Sequence, residues 1–401
     1  MSLRLSRAVA AIPASPTLSI DAKAKALRAE GIDVLSFGAG EPDMHTPVPI
    51  VEAAIAALQA GHHKYTPVSG TPALKKAIAD AVERQLGVRW QPSEIIASCG
   101  AKHSLYNLWL ALLDPGDEVL VPTPAWVSYI TQIEMTGARA VEVPGAAADG
   151  FVPTIEALEA AYTPRTRALL INNPTNPTGA LWDGAAIARL AEWVRSKPGL
   201  IVISDAIYDQ LVYDQEPYVE MLSVAPDLRD RYVLINGISK AFAMTGWRLG
   251  WTLGPAPLIA AMERLQSQST SNPTAVTQAA AVRALELGED VIAPMRARFQ
   301  ARRDLIAREL ATVPGWTLVQ PRGAFYAFPD ASAWLGRRVG DRVLATDTEL
   351  AAWLLEAARV AVVPGSAFAA PGYLRLSYAM GEETILEGIR RIREAGTLLE
   401  G

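Results

Sequence analysis

The sequence predicts an α/β fold in which a parallel sheet is covered by helices on both faces. Three observations carry that prediction. Continuous apolar runs bounded by turn residues read as strands buried on both sides: Glu118-Val-Leu-Val-Pro122, Ala168-Leu-Leu-Ile171, Leu200-Ile-Val-Ile203 and Tyr232-Val-Leu-Ile235. Amphipathic stretches separate these runs, which is the alternation that crossover helices impose. The chain has 401 residues, long for a single core, so a large domain with a smaller companion is expected.

The elements follow in order. Leu74, Ile78, Val82 and Leu86 recur every four residues, a helix stripe that ends near Gly87. Ser98-Cys-Gly100-Ala101-Lys102 is a small-residue turn opening a helix with Leu105, Leu108, Trp109 and Leu112 on one face. The four buried strands come next, then alanine-rich helices over 277–287 and 296–310. Short strands around Phe325 and Arg375 complete the chain.

Composition narrows the classes of partner. A formal net charge of -5 offers no electrostatic footprint for nucleic acid or anionic lipid. Cys99 is the single cysteine, which excludes an intramolecular disulfide and suits a reducing compartment. The stretch 1–7 lacks an apolar core, and 9–13 is short and broken by proline, so no signal peptide is expected. No run reaches transmembrane length. A soluble, cytoplasmic protein without a metal site is the expectation.

The polar residues of interest lie just after predicted strands, where open α/β sheets bind ligands. In Gly237-Ile-Ser239-Lys240-Ala-Phe-Ala-Met-Thr-Gly-Trp-Arg248, a lysine sits among small residues behind a buried strand and an arginine follows eight residues later. Lysine forms Schiff bases with aldehydes and arginine grips phosphate bidentately. Pyridoxal phosphate carries both groups. Asp205 ends an apolar strand, where it either caps the next helix or meets a cation such as a protonated pyridine nitrogen. Tyr208 is placed to donate to the ring oxygen. Asn172-Asn-Pro-Thr-Asn176-Pro177-Thr-Gly179 is either a plain turn or a loop presenting Asn176 to that oxygen, with a cis bond at Pro177. The turn at Gly100 offers N–H groups and a positive dipole end to phosphate. Trp126 is either core or a stacking partner, and Arg375 either faces solvent or clamps a substrate carboxylate.

Together the motifs resemble the class I aminotransferases of fold type I over nearly the whole chain, closest to the bacterial aspartate aminotransferase subgroup. They are Phe37-Gly-Ala-Gly40-Glu-Pro-Asp43, Lys64-Tyr65-Thr-Pro, Asn176-Pro-Thr-Gly179, Asp205-Ala-Ile-Tyr208, Ser239-Lys240 with Arg248, and Leu374-Arg375-Leu-Ser377. The resemblance implies a large domain over 48–292, with a mostly parallel seven-stranded sheet, and a small α+β domain from 1–47 and 293–401. It implies pyridoxal 5'-phosphate as cofactor and a ping-pong transfer of an amino group from an L-amino acid to a 2-oxo acid. Lys240 then forms the Schiff base and shuttles a proton. Asp205 pairs with the pyridinium, Asn176 and Tyr208 bond the ring oxygen, and Trp126 stacks on the ring. Gly100, Ala101, Lys102, Ser239 and Arg248 hold the phosphate, with Tyr65 reaching in from the partner of a homodimer. Arg375 takes the alpha-carboxylate beside Gly40.

Lys102 with Trp126 favours a dicarboxylic substrate, aspartate or glutamate, and Ser267-Gln-Ser-Thr-Ser271 resembles a segment lent to the neighbouring site. Acceptance of prephenate or aromatic acids depends on positions near 15–18. Ala206 and Gly237 depart from relatives, Gly237 leaving only an N–H where some carry a phosphate-binding serine, and His62-His63 has no explanation. The competing readings are an aminotransferase of broader or aromatic range, a carbon–sulfur lyase on the same fold, and a cofactor-binding regulator.

Overall fold

The computed structural model describes residues 3, 6–10, 12 and 16–400, without the side chains of 7, 8, 16–18 and 21. Of the positions assigned to acceptor range, residue 15 and the side chains of 16–18 lie outside the described residues, as does much of the N-terminal run read for a signal peptide.

A seven-stranded sheet runs in the order Ile95–Ser98, Gly250–Leu253, Tyr232–Gly237, Ile201–Asp205, Thr166–Asn172, Glu118–Thr123, Arg139–Pro144. Gly250–Leu253 is antiparallel to both neighbours and every other pairing is parallel. The four apolar runs of the sequence form its central strands, with Leu200 just ahead of its own. Arg139–Pro144 escapes a hydropathy reading because it is an edge strand with mostly half-buried or exposed side chains.

Alternate side chains of each strand point to opposite faces, and each face has its own core. Leu120, Leu169, Ile171, Val202 and Leu234 pack with Trp182, Leu190 and Met221. Val119, Val121, Leu170, Ile203 and Val233 pack with Leu105, Leu108 and Trp109 of the helix Ala101–Leu112. The stripe at Leu74 forms the helix Pro72–Leu86, capped by the Thr71 hydroxyl and ended by Gly87 in the left-handed region at φ 69°. The expected helix at 296–310 begins earlier, spanning Glu289–Leu310 with Pro294 inside it. Glu289 and Asp290 in its first turn complement the helix dipole.

A third core gathers Phe299, Phe325, Leu350, Leu376 and Ile389 beside an antiparallel sheet of Val363–Pro364, Leu374–Ser377 and Tyr326–Ala327. The N-terminal segment is stitched to this region. Leu35–Ser36 pairs parallel with Val360–Ala361, and Ser377 N–H donates to the Phe37 carbonyl at 2.8 Å. Among the described residues no helix is long and apolar enough to cross a membrane, and no His, Cys, Asp and Glu group is arranged to hold a metal ion.

Candidate active site

The parallel strands end at a cavity of about 630 Å³ that also receives Gly38, Gly40 and Glu41 from the N-terminal segment and Tyr326 and Arg375 from the small sheet. Asp205 is the last residue of its strand and is buried. Turns follow it rather than a helix, so the capping alternative falls. Its Oδ2 accepts from the Tyr129 hydroxyl at 2.6 Å and its Oδ1 from Ile207 N–H at 3.2 Å. Burial pushes the carboxyl up to about 6, against the pull of those two donors and of Lys240.

Lys240 stands half-buried just beyond the neighbouring strand, and its Nζ donates to the Gly40 carbonyl at 2.5 Å. Burial brings its amine down to about 8, helped by the charges of Arg375 and Arg248 and opposed by Glu41 and Asp205. The Glu41 carboxylate accepts from Thr245 at 2.9 Å, tying the N-terminal segment to the lysine loop.

The Asn172 side chain organises the next loop, accepting from Asn176 N–H at 2.9 Å and donating to the Asp205 carbonyl at 3.0 Å. The Asn176–Pro177 peptide is cis, as expected. Arg375 is buried, so it does not face solvent. It donates through Nη2 to the Gly38 carbonyl at 2.8 Å and through Nη1 to Asn176 Oδ1 at 3.1 Å, while its Nε has no partner among the described residues. The Asn176 oxygen is thereby engaged and its NH2 is left for another acceptor.

Gly100 caps the helix Ala101–Leu112 with φ at 92°, and a Cβ there would stand 2.6 Å from Arg248 Nη2. Glycine thus lets the guanidinium lie against the helix N-terminus. The Ala101 and Lys102 N–H groups have no partner among the described residues. Free N–H groups, a dipole end and a guanidinium together form an anion site. Lys102 lies 4.7 Å over the half-buried Trp126 ring, and burial with Arg248 lowers its amine. Trp126 lines the cavity as well as packing on the core behind it, and Ser239 and Tyr208 line the cavity too.

Three residues were not singled out from the sequence as site members: Tyr129, Tyr326 and Glu41. Tyr129 packs edge-on against Trp126, with centroids 5.2 Å apart, as well as bonding Asp205. The Tyr208 and Tyr326 hydroxyls are 2.8 Å apart. A buried aromatic gives no sequence signal of such a role, although Tyr129 follows Trp126 at one helical turn.

Other expected residues stand elsewhere. Tyr65 is 93% exposed and outside this cavity, and Ser267 to Thr270, His62 and His63 are also exposed. The reading of Gly237 needs correction. Its N–H is taken by Asn236 Oδ1 at 2.7 Å, so it is not free for a phosphate. A Cβ there would stand 2.9 Å from the Leu249 carbonyl, so the strand pairing leaves a serine no room.

The donor set fits pyridoxal phosphate: an anion site, a partly neutral amine, a buried carboxylate for a ring cation and an aromatic wall. The unpaired Arg375 Nε adds a donor for a carboxylate. Residues 32–392 match the family described as aminotransferase class I and II. The aspartate aminotransferase of Geobacillus stearothermophilus is 45% identical over 399 residues, 98% of this chain and 100% of the relative. The aspartate/prephenate aminotransferase of Nitrosomonas europaea is 41% identical, covering 97% of this chain and 99% of its own. The Thermus thermophilus aspartate aminotransferase solved with maleate superposes with a TM-score of 0.92 at 40% identity, over 98% of this chain and 100% of that one. The chain belongs to the class I and II aminotransferases, enzymes that depend on pyridoxal phosphate.

Proposed function

We propose that this aminotransferase takes aspartate or glutamate as amino donor and works by a ping-pong cycle with a 2-oxo acid acceptor. One observation carries the substrate class: beyond Arg248 at the anion site and Lys240, the cavity holds Lys102, packed on Trp126, as a further cation that can act together with Arg375. A dicarboxylate uses both cations, and maleate in the Thermus neighbour is a dicarboxylate.

Bound pyridoxal phosphate supplies the electron sink that stabilises charge at the substrate alpha carbon. Around it, Arg248 and the N–H groups of Ala101 and Lys102 hold the phosphate at the Gly100 turn, with Ser239 beside them. Asp205 holds the positive ring nitrogen, fixed by Tyr129. Asn176 and Tyr208 would donate to the ring oxygen, and Trp126 would pack against the ring. Arg375 orients the alpha-carboxylate beside Gly40. Lys240 Nζ, its proton affinity brought down to about 8, would take the proton from the substrate alpha carbon and hold it as a general base.

The chain divides in this reading into a cofactor domain, 48–292, and a small domain, 1–47 with 293–401. It acts in the cytoplasm as a homodimer. Val48, Ile55 and Leu58 on the helix Val48–Gln59 are 66, 49 and 52% exposed, an apolar face that a second copy covers. Tyr65 and the segment around Ser267 then reach the partner's cavity.

A panel of aspartate, glutamate, aromatic and branched donors against oxo-acid acceptors, prephenate included, tests the substrate class. Pyruvate and ammonia released without an acceptor would establish the lyase reading instead. Lys240→Ala should abolish the visible absorbance of the lysine Schiff base and transamination. Lys102→Ala should raise KM for aspartate far more than for phenylalanine; equal losses would remove Lys102 from substrate recognition.

A further inference from the structure

We propose that Tyr326 is a positioning residue that links the carboxylate clamp, Arg375, to the hydroxyl of Tyr208, so that filling one is felt at the other. The inference rests on the aminotransferase reading of the cavity, and it concerns a residue to which that reading gives no role.

The small sheet sets up the contact. Ser377 lies opposite Tyr326 in the antiparallel pair, so Arg375, two residues earlier, is the diagonal neighbour of Tyr326 on the same face. The Arg375 guanidinium carbon stands 4.6 Å from the Tyr326 ring centroid. At the other end of the same side chain, Tyr326 Oη lies 2.8 Å from Tyr208 Oη. Both phenols are buried and both line the cavity. A Cβ on Gly40 would stand 3.2 Å from Tyr326 Oη, and the Gly40 carbonyl accepts from Lys240. One side chain therefore touches the clamp, the turn after Asp205 and the segment over the lysine.

Each hydroxyl has a single proton, so only one of the pair donates to the other. With nothing else to bond, Tyr208 is free to donate to Tyr326. An anionic oxygen against Tyr208 reverses the pair: Tyr208 donates to the anion and Tyr326 donates to Tyr208. The two O–H dipoles then align towards the anion and strengthen one another. Arg375 acts on the far end of this relay. Burial raises the Tyr326 phenol, and the nearby guanidinium pulls it back towards a better donor. A carboxylate bound to Arg375 neutralises that pull and weakens the donation to Tyr208. The coupling is reciprocal, because linkage between two binding events is symmetric.

Tyr326→Phe keeps the ring against Arg375 and removes only the hydroxyl. In the holoenzyme, the visible cofactor absorbance is titrated with pH with and without maleate. Wild-type protein should show a maleate-induced shift of the midpoint, and the variant a smaller one. The same variant should lower kcat/KM for aspartate about 2- to 12-fold, the range of one neutral hydrogen bond. Because Tyr326 acts through Tyr208, the Tyr208→Phe/Tyr326→Phe double variant should be no worse than Tyr208→Phe alone. Additive losses, or an undiminished maleate shift in Tyr326→Phe, would overturn the proposal. A wild-type protein that takes up no pyridoxal phosphate overturns the functional reading itself, before any variant is compared.

Discussion

Replacing Tyr129 by phenylalanine removes one oxygen and leaves the ring edge-on to Trp126, with 85° between the planes. What is lost is the 2.6 Å hydrogen bond to Asp205 Oδ2. The loss depends on the charge of the acceptor, since a bond to a charged group contributes ~1.5–3 kcal/mol and a neutral one ~0.5–1.5 kcal/mol. In the cofactor-free protein burial raises the Asp205 carboxyl from 3.8 to about 6. Folding therefore favours its protonated form, and this group withdraws stability as pH rises from 3.8 through about 6. Near pH ~5 the variant loses a neutral bond and its deficit is ~1 kcal/mol. Near pH ~8 it loses a charged one, so the deficit grows to ~2 kcal/mol and the carboxyl moves up by a further ~1 unit. Urea unfolding of cofactor-free wild-type and variant protein at both pH values reads the difference directly, because all other titrating groups cancel. A deficit independent of pH, or larger in acid, would refute the assignment of Tyr129 to the ionised carboxylate.

With its amine near 8, Lys240 should capture pyridoxal phosphate faster as pH rises from about 6.5 to about 9, and a flat rate profile would contradict a lowered lysine. Glu41 raises that amine, so Glu41→Gln should move the midpoint of the profile to lower pH; movement upward removes Glu41 from the field at Lys240. Gly100→Ala puts a Cβ into a left-handed position, 2.6 Å from Arg248 Nη2. Its Kd for pyridoxal phosphate should rise about tenfold or more, equivalent to ~1.4 kcal/mol, and an unchanged Kd by equilibrium dialysis would show that the turn does not hold the phosphate.

Most of the sheet was legible because its central strands are apolar on both faces and carry their signal in consecutive residues. Ile95–Ser98 and Gly250–Leu253 are also fully buried, but each is only four residues long and merges with its flanking turn. Among the residues with distinctive chemistry, Lys240, Asp205, Asn176 and Arg375 were legible for the same kind of reason. Asp205 ends a strand, Lys240 and Asn176 stand in the turns that follow one, and Arg375 lies on a short apolar strand, all places where a polar group needs an explanation. The exposed Arg248 is legible only through its spacing from Lys240. Tyr129 and Tyr326 resemble core aromatics until strand register and helix phase show what their hydroxyls meet. Gly237 shows the opposite failure. A motif position suggested a role, but its strand pairs it with Gly250, its N–H is taken by Asn236, and it does not line the cavity.

Arg375 bonds the carbonyl of Gly38, a partner 337 positions away, and Lys240 bonds that of Gly40, 200 positions away. The central sheet, by contrast, is complete by Leu253. During synthesis the sheet can therefore assemble while the carboxylate clamp is still unmade, because closing so long a loop must await the last part of the chain. A nascent chain, or one truncated before Leu374, carries Lys240 and the Gly100 turn without the guanidinium of Arg375. The cavity thus lacks one of its buried cations until the two ends of the polypeptide have met.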